Sequence, residues 1–178
     1  MPSQFPRGNL PEIAFIGRSN VGKSSLINSL LKQRHLARTG STPGRTRLIN
    51  FFRINKSFYF VDFPGYGYSK ASKILRQSWP NLVDQYLEKR KQLRVCVVVV
   101  DSRIGPTPLD IETINWLQKL LVSFFIILTK ADKLNQTELK KSVTHTKSLI
   151  FGIPIVVYSS TKGISDEQVW SFLDRYIK

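Results

Sequence analysis

Residues 17–24 read Gly-Arg-Ser-Asn-Val-Gly-Lys-Ser, and this stretch decides the fold. The spacing is G-x-x-x-x-G-K-S, that of a phosphate-binding loop (P-loop). Glycines in such a loop let the backbone wrap closely, so that several N–H groups converge on phosphate oxygens. Before it, Glu12 to Ile16 is a short, largely apolar run that reads as a buried strand. After it, Lys23 to Leu31 carries Leu26, Ile27, Leu30 and Leu31 at helical spacing. The helix would aim its positive dipole end at the same phosphates. On this reading Lys23 reaches the β- and γ-phosphates, and the Ser24 hydroxyl coordinates Mg²⁺.

Strands and helices alternate along the rest of the chain. Leu48 to Ile54 and Phe58 to Phe63 read as strands joined at Asn55-Lys56, a hairpin. Gln33 to Arg47 and Pro64 to Ile74 are loop-like. Trp79 to Gln92 reads as a helix, and Arg94 to Val100 as a central strand covered on both faces. Helices follow at Leu109 to Leu121, Gln136 to Phe151 and Ser165 to Ile177, with strands at Ser123 to Leu128 and Pro154 to Tyr158. This alternation predicts an α/β fold with a six-stranded, mostly parallel sheet and helices on both faces. Ligands of such sheets bind at the carboxyl ends of the strands.

Three further motifs fall in loops that follow strands. Asp62-Phe63-Pro64-Gly65 ends the Phe58 strand. Its aspartate is placed as a Mg²⁺ partner through water, and the Gly65 N–H as a γ-phosphate contact. Thr129-Lys130-Ala131-Asp132 ends another strand. Asp132 can accept both N1–H and the exocyclic amine of guanine, a donor pair that adenine lacks. The Lys130 stem can cover the base. Tyr158-Ser159-Ser160 ends the last strand and offers small residues and backbone N–H groups to the guanine carbonyl.

Composition narrows the class. The chain has 178 residues, of which 42 % are hydrophobic and 22 % charged, ordinary values for one globular domain. The single cysteine, Cys96, rules out an intrachain disulfide framework and lies among valines, so it reads as a buried inert thiol in a reducing compartment. No apolar run reaches the ~20 residues of a membrane span, and Met1 to Asn9 carries no signal-peptide core. A cytoplasmic bacterial protein is expected, or an organelle-matrix protein if a presequence has been removed. His35 and His145 stand alone, with no partners at metal-ligand spacing, and no Ser-His-Asp or Cys-His arrangement is present.

Charge is the unusual quantity. The net charge is +15. Residues 1–91 hold 16 basic and 4 acidic residues, whereas residues 92–178 hold 11 and 8. One half carries most of the positive field, which points to a polyanionic partner on that side.

Together, G-R-S-N-V-G-K-S-S-L-I-N (17–28), T-P-G-R-T-R-L-I-N-F-F (42–52), V-D-F-P-G-Y-G-Y (61–68) and T-K-A-D (129–132) closely resemble the EngB (YihA/YsxC) family, within the Era/TrmE-like branch of P-loop GTPases. The motifs span nearly the whole chain. The resemblance implies a Ras-like three-layer fold with the Leu48 to Ile54 strand antiparallel at the edge. It implies residues 1–10 as an N-terminal lead and 11–178 as a single EngB-type G domain. It implies a Mg²⁺-dependent GTPase that hydrolyses GTP to GDP and acts in large ribosomal subunit assembly, in a family also linked to cell division and septation. It adds Thr46 as the switch threonine giving a second Mg²⁺ ligand, with Thr42 as the nearby competitor. The implied nucleotide-binding set is Gly17, Arg18, Ser19, Asn20, Val21, Gly22, Lys23, Ser24 and Ser25, then Gly44, Arg45, Thr46, Arg47 and Leu48. It continues with Asp62, Phe63, Pro64 and Gly65, Thr129, Lys130, Ala131 and Asp132, and Tyr158, Ser159 and Ser160. Ser24, Thr46 and Asp62 are the metal set; Lys23, Thr46 and Gly65 carry catalysis. Related GTPases with asparagine at the place of Asn20 can use K⁺; bracing of the loop is the alternative role.

Many GTPases place a glutamine after D-x-x-G to orient the attacking water, and here that position is Tyr66. Arg34, Arg38, Arg45, Arg47 and Arg53, then Lys70, Lys73 and Arg76, then Lys89, Arg90, Lys91 and Arg94 gather near the expected switches. Tyr66, Tyr68 and Trp79 are interleaved with the second group and suit stacking on unpaired bases, so rRNA is the expected partner of a monomeric protein. Lys140, Lys141 and Lys147 read as a solvated helix face. Two rivals belong to other classes: a binding module that uses nucleotide only for stability, and a small-molecule P-loop kinase, which would not need T-K-A-D. A GTPase acting directly on a cell-division protein is a further alternative. Tyr66 predicts slow intrinsic hydrolysis, so single-turnover GTP cleavage by the pure protein should be slow; fast turnover without a partner would contradict this.

Overall fold

Leu93–Asp101 lies near the middle of the sheet because its stretch Val95–Val100, five valines and one cysteine, suits burial on both faces. The computed structural model describes residues 5–33, 36–37, 49–66, 83, 85–162 and 164–177. Six strands are β1 (Glu12–Gly17), β2 (Asn50–Ile54), β3 (Phe58–Asp62), β4 (Leu93–Asp101), β5 (Phe124–Thr129) and β6 (Ile155–Val157). They form one sheet in the order β2-β3-β1-β4-β5-β6. Every neighbouring pair is parallel except β2 with β3. This is the expected mostly parallel sheet with an antiparallel edge. The β2–β3 hairpin turns at Asn55 and Lys56, both at positive φ (45° and 57°), and Ser57 N–H closes it onto the Ile54 carbonyl at 2.8 Å.

The helices are α1 (Lys23–Leu30), α2 (Pro108–Lys119), α3 (Gln136–Leu149) and α4 (Asp166–Ile177). Residues 85–89 are also helical, whereas most of the Trp79 to Tyr86 part of the expected helix lies outside the described residues. Alternation along the strands splits the core in two. Ile13, Phe15, Val95, Val97, Val99, Phe125 and Ile127 face Leu26, Ile27 and Leu30 of α1 and Val169 and Leu173 of α4. Ala14, Ile16, Val61, Cys96, Val98, Val100, Ile126 and Leu128 face the other way, against Ile114 and Leu117 of α2 and against Tyr86 and Leu87. Cys96 is fully buried, and burial pushes its thiol far up, so it is inert in the folded chain.

The amino end of the sheet is fastened by charge. Glu12, fully buried, receives the Tyr86 hydroxyl at 2.6 Å and Arg90 Nε at 3.0 and 2.9 Å on its two oxygens. Arg90 Nη2 also donates to the Pro6 carbonyl at 2.7 Å, and Phe5 packs against Tyr86. Residues 5–10 are thereby tied to the sheet. Arg90, counted above with the basic surface, is corrected here: it is 9 % exposed and serves the Glu12 ion pair. At the opposite end, the segments that leave β1, β3, β4, β5 and β6 gather at the carboxyl edge, where ligands of parallel sheets bind.

Removing one partner of a buried ion pair strands the other charge, at a cost of about 3–5 kcal/mol. Arg90→Ala should lower the urea unfolding free energy by that amount, whereas Arg53→Ala on the exposed edge should change it by less than about 0.5 kcal/mol. Equal, small effects would contradict the role given to Arg90.

Candidate functional site

The P-loop follows β1 directly. A Cβ on Gly17 would stand 2.6 Å from the Val99 carbonyl oxygen, so only glycine fits where β1 leaves the sheet. Gly22 sits at φ +98°, a left-handed conformation that favours glycine, and hands the chain to α1 at Lys23. Lys23 is buried, and its ammonium pairs with the equally buried carboxylate of Asp62. Ser24 and Ser25 follow in the first turn of α1. The structure thus brings the first two motifs into contact through one ion pair.

The D-x-x-G segment lies along the loop. Phe63 N–H donates to the Phe15 carbonyl at 3.1 Å and Tyr66 N–H to the Gly17 carbonyl at 3.3 Å. Ser19 N–H donates back to the Tyr66 carbonyl at 3.0 Å. The β1–β3 pairing is therefore continued past both strand ends by an isolated parallel bridge between Arg18 and Tyr66. The approach is so close that a Cβ on Gly65 would meet Ser19 N at 2.8 Å. Phe63 and Pro64 are buried beneath it.

Tyr66 turns its side chain towards α2. Its hydroxyl donates to Asp110 Oδ1 at 2.6 Å. Asp110 is fully buried; its other oxygen accepts the Thr107 N–H at 2.8 Å and hydroxyl at 2.6 Å, and Arg18 Nε stands 3.2 Å away. Burial, reinforced by the Asp110 carboxylate, pushes the Tyr66 phenol far above its ordinary value, so it remains a donor.

The second half of the site is joined to the P-loop from the other side. The β4–β5 register sets Asp101 opposite Thr129. The Thr129 hydroxyl donates to the Val21 carbonyl, with the Val100 carbonyl also in reach at 3.1 Å. Lys130, at φ +59°, reaches back so that its ammonium donates to the Asn20 carbonyl at 2.6 Å and meets Asp101 Oδ2 at 2.8 Å. Ala131 N–H donates to the Tyr158 carbonyl at 3.1 Å, which sets the T-K-A-D turn against the end of β6. Ser159 Oγ donates to Asp132 Oδ1 at 2.7 Å and holds that carboxyl below its usual range. Tyr158 is buried, with its hydroxyl on Asp166 at 2.6 Å, and Ser160 is exposed.

Two acids here belong to none of the four motifs. Asp101 is 2 % exposed; burial alone would raise its carboxyl, but the bonds from Arg103 and Lys130 outweigh that and hold it at about 2. Asp110 is the other. Its only sequence signal is Thr107-Pro108-Leu109-Asp110, a helix start with an acid at the third position. Gly44, Arg45, Thr46, Arg47 and Leu48 lie outside the described residues, as do Thr42, Arg34, His35, Arg38, Tyr68, Lys70, Lys73, Arg76 and Trp79. Arg53, Lys89, Lys91 and Arg94 are exposed, and so are Lys140, Lys141, His145 and Lys147 on α3. Among the described residues no group of three or more His, Cys, Asp or Glu side chains could hold a metal, and no helix is long and apolar enough to cross a membrane.

A protein family described as "50S ribosome-binding GTPase" matches residues 12–130. The chain is 48 % identical over 176 residues to a probable GTP-binding protein EngB of Heliobacterium modesticaldum, covering 97 % of this chain and 86 % of that protein. It is 42 % identical over 179 residues to the probable EngB of a Geobacillus species, covering 99 % and 93 %. Among solved structures it is similar to a probable GTP-binding protein EngB, with a TM-score of 0.75, 25 % identity, and coverage of 93 % of this chain and 98 % of that one. It shares its fold with Era solved with MgGDPNP and nucleotides of 16S ribosomal RNA, at a TM-score of 0.77, 24 % identity, and coverage of 96 % and 57 %.

The Thr129 hydroxyl makes a specific claim on stability. Thr129→Val keeps the shape but leaves the buried Val21 carbonyl without its donor, which should cost about 1–3 kcal/mol in urea unfolding. Thr129→Ser should recover most of it. An unchanged Thr129→Val protein would contradict the join between the two loops.

Proposed function

The chain belongs to the EngB family of P-loop GTPases, and from that premise we propose a Mg²⁺-dependent switch in assembly of the large ribosomal subunit. The protein binds guanine nucleotide and hydrolyses GTP with water to GDP and phosphate. The observation that carries the site assignment is the convergence of residues 17–25, 62–65, 129–132 and 158–160 at one edge of the sheet. Residues 11–178 act as a single G domain.

In this reading the backbone of Gly17 to Ser24 cradles the phosphates, and Lys23 exchanges the Asp62 carboxylate for β- and γ-phosphate oxygens. Asp132, oriented and kept ionised by Ser159, accepts the two guanine donors. The Lys130 stem covers the base. Gly65 offers its N–H to the γ-phosphate, and its missing side chain keeps Ser19 within reach. The Ser24 hydroxyl and the Asp62 carboxylate are hard oxygen donors beside the phosphate cradle, a set that suits Mg²⁺ retaining water and phosphate ligands. Ser24, Thr46 and, through water, Asp62 would hold it, and it would neutralise charge on the β- and γ-oxygens. Catalysis is then positioning and charge stabilisation by Lys23, Thr46 and Gly65.

Tyr66 contributes no water-orienting group while its hydroxyl is engaged by Asp110, which supports slow intrinsic turnover. Asn20 is exposed in a left-handed conformation, with its carbonyl taken by Lys130. Its side chain is the proposed K⁺ ligand. Hydrolysis should run faster in KCl than in NaCl at equal ionic strength; equal rates would remove K⁺ from the scheme.

The family description supports a ribosomal partner, and the +15 charge supports rRNA as the surface contacted by a monomeric, cytoplasmic protein. Pelleting with purified large subunits tests this. Binding favoured by a non-hydrolysable GTP analogue over GDP, and retained at moderate salt, is expected. Binding that ignores nucleotide and vanishes with salt would reject a nucleotide-gated ribosomal role and turn the search to cell-division proteins.

A further inference from the structure

The carboxylate of Asp101 lies beside the base-recognition loop, outside all four nucleotide motifs. It sits at the end of β4, opposite Thr129 in the parallel register, and is 2 % exposed. Among the described residues, Arg103 and Lys130 are the donors around it. Arg103 gives its backbone N–H at 3.0 Å and its Nε at 3.0 Å to Oδ1, and its Nη2 at 2.7 Å to Oδ2. Lys130 Nζ is 2.8 Å from Oδ2.

Lys130 begins from a left-handed backbone position, and its ammonium is shared between Asp101 and the Asn20 carbonyl, 2.6 Å away. A four-carbon stem fixed at both ends has one course. That course passes close to the P-loop, since a Cβ on Gly22 would stand 3.7 Å from Lys130 Cε. A lysine without such an anchor would spread over many rotamers, and fixing it only on binding would cost affinity.

We infer that Asp101 is a positioning residue for nucleotide binding: it fixes the Lys130 ammonium, so that the lysine stem is set in advance as one wall of the base site. The inference rests on the guanine-nucleotide reading above and deepens it. Arg103, 45 % exposed in its side chain, supports the carboxylate from the solvent side and makes no claim on the nucleotide.

The test is a double-mutant cycle read by GDP affinity in Mg²⁺, on the whole chain. Asp101→Asn is close in shape and lacks the charge that holds Lys130. Loss of a hydrogen bond to a charged group predicts about 10- to 100-fold weaker GDP binding. Because Asp101 acts through Lys130, Asp101→Asn should add less than about threefold to Lys130→Ala, whereas independent residues would multiply their effects. A merely structural role would not produce that dependence on Lys130. Arg103→Ala, which leaves the Asp101–Lys130 contact, should bind GDP within about twofold of wild type. If Asp101→Asn does not fold, Asp101→Glu replaces it; the displaced carboxylate should give the same Lys130-dependent loss. Wild-type affinity in Asp101→Asn, or fully multiplicative effects, overturns the inference alone. A wild-type chain that binds no GDP overturns the reading beneath it as well.

Discussion

The site depends on a P-loop held from both sides by backbone-directed hydrogen bonds. On one side Ser19 N–H and the Gly17 carbonyl pair with Tyr66. On the other, the Val21 carbonyl accepts the Thr129 hydroxyl and the Asn20 carbonyl accepts the Lys130 ammonium. A loop rich in unpaired backbone groups is costly to order, and these contacts order it before any ligand arrives. They are possible because β1 has β3 and β4 as its two neighbours and β5 lies next to β4, all running the same way. The same sheet order that buries the valines of β4 delivers three motif-bearing loops to one edge.

Charge is distributed along that edge in a way that suits exchange. Lys23 and Asp62 satisfy one another in a buried pair, whereas buried Asp101 pairs with a Lys130 that is partly exposed. The two pairs differ in consequence. Asp101 is saturated by Arg103 and Lys130 and acts as a fixed anchor. Asp62 is paired with Lys23 of the P-loop, and it is this pair that the proposed phosphate contact would open. Tyr66 adds a third connection, from the D-x-x-G segment to the amino end of α2 through Asp110, which also forms an ion pair with Arg18 of the P-loop. The position that carries a water-orienting glutamine in many GTPases here ties the D-x-x-G segment to a helix.

Much of this was legible in residue order. Glycine at 17, 22 and 65 marks places where backbone approaches backbone, and the structure gives each a physical cause in a close contact or a left-handed φ. The expected strands end at Phe63 and Leu128, each one residue from the observed ends at Asp62 and Thr129, because apolar runs end where the sheet ends. The antiparallel β2 edge followed from the family resemblance and is found as expected. Other features were hidden because they depend on contacts between distant residues. Arg90 looked like one of a basic cluster, yet Glu12, 78 positions away, takes it into the interior. Asp101 and Asp110 fall in none of the sequence motifs, and the β4–β5 register and the packing of the D-x-x-G segment onto α2 give them their partners. The side-chain bond between Ser159 and Asp132 has the same origin.

Calorimetric titration of the pure chain with GDP and with ADP, each with Mg²⁺, tests the central claim most directly: that these loops form one pre-ordered guanine-nucleotide site. With Asp132 pairing, as proposed, with two donors that guanine has and adenine lacks, GDP should bind on the order of 10⁴-fold more tightly than ADP. Comparable affinities for the two nucleotides would contradict the account.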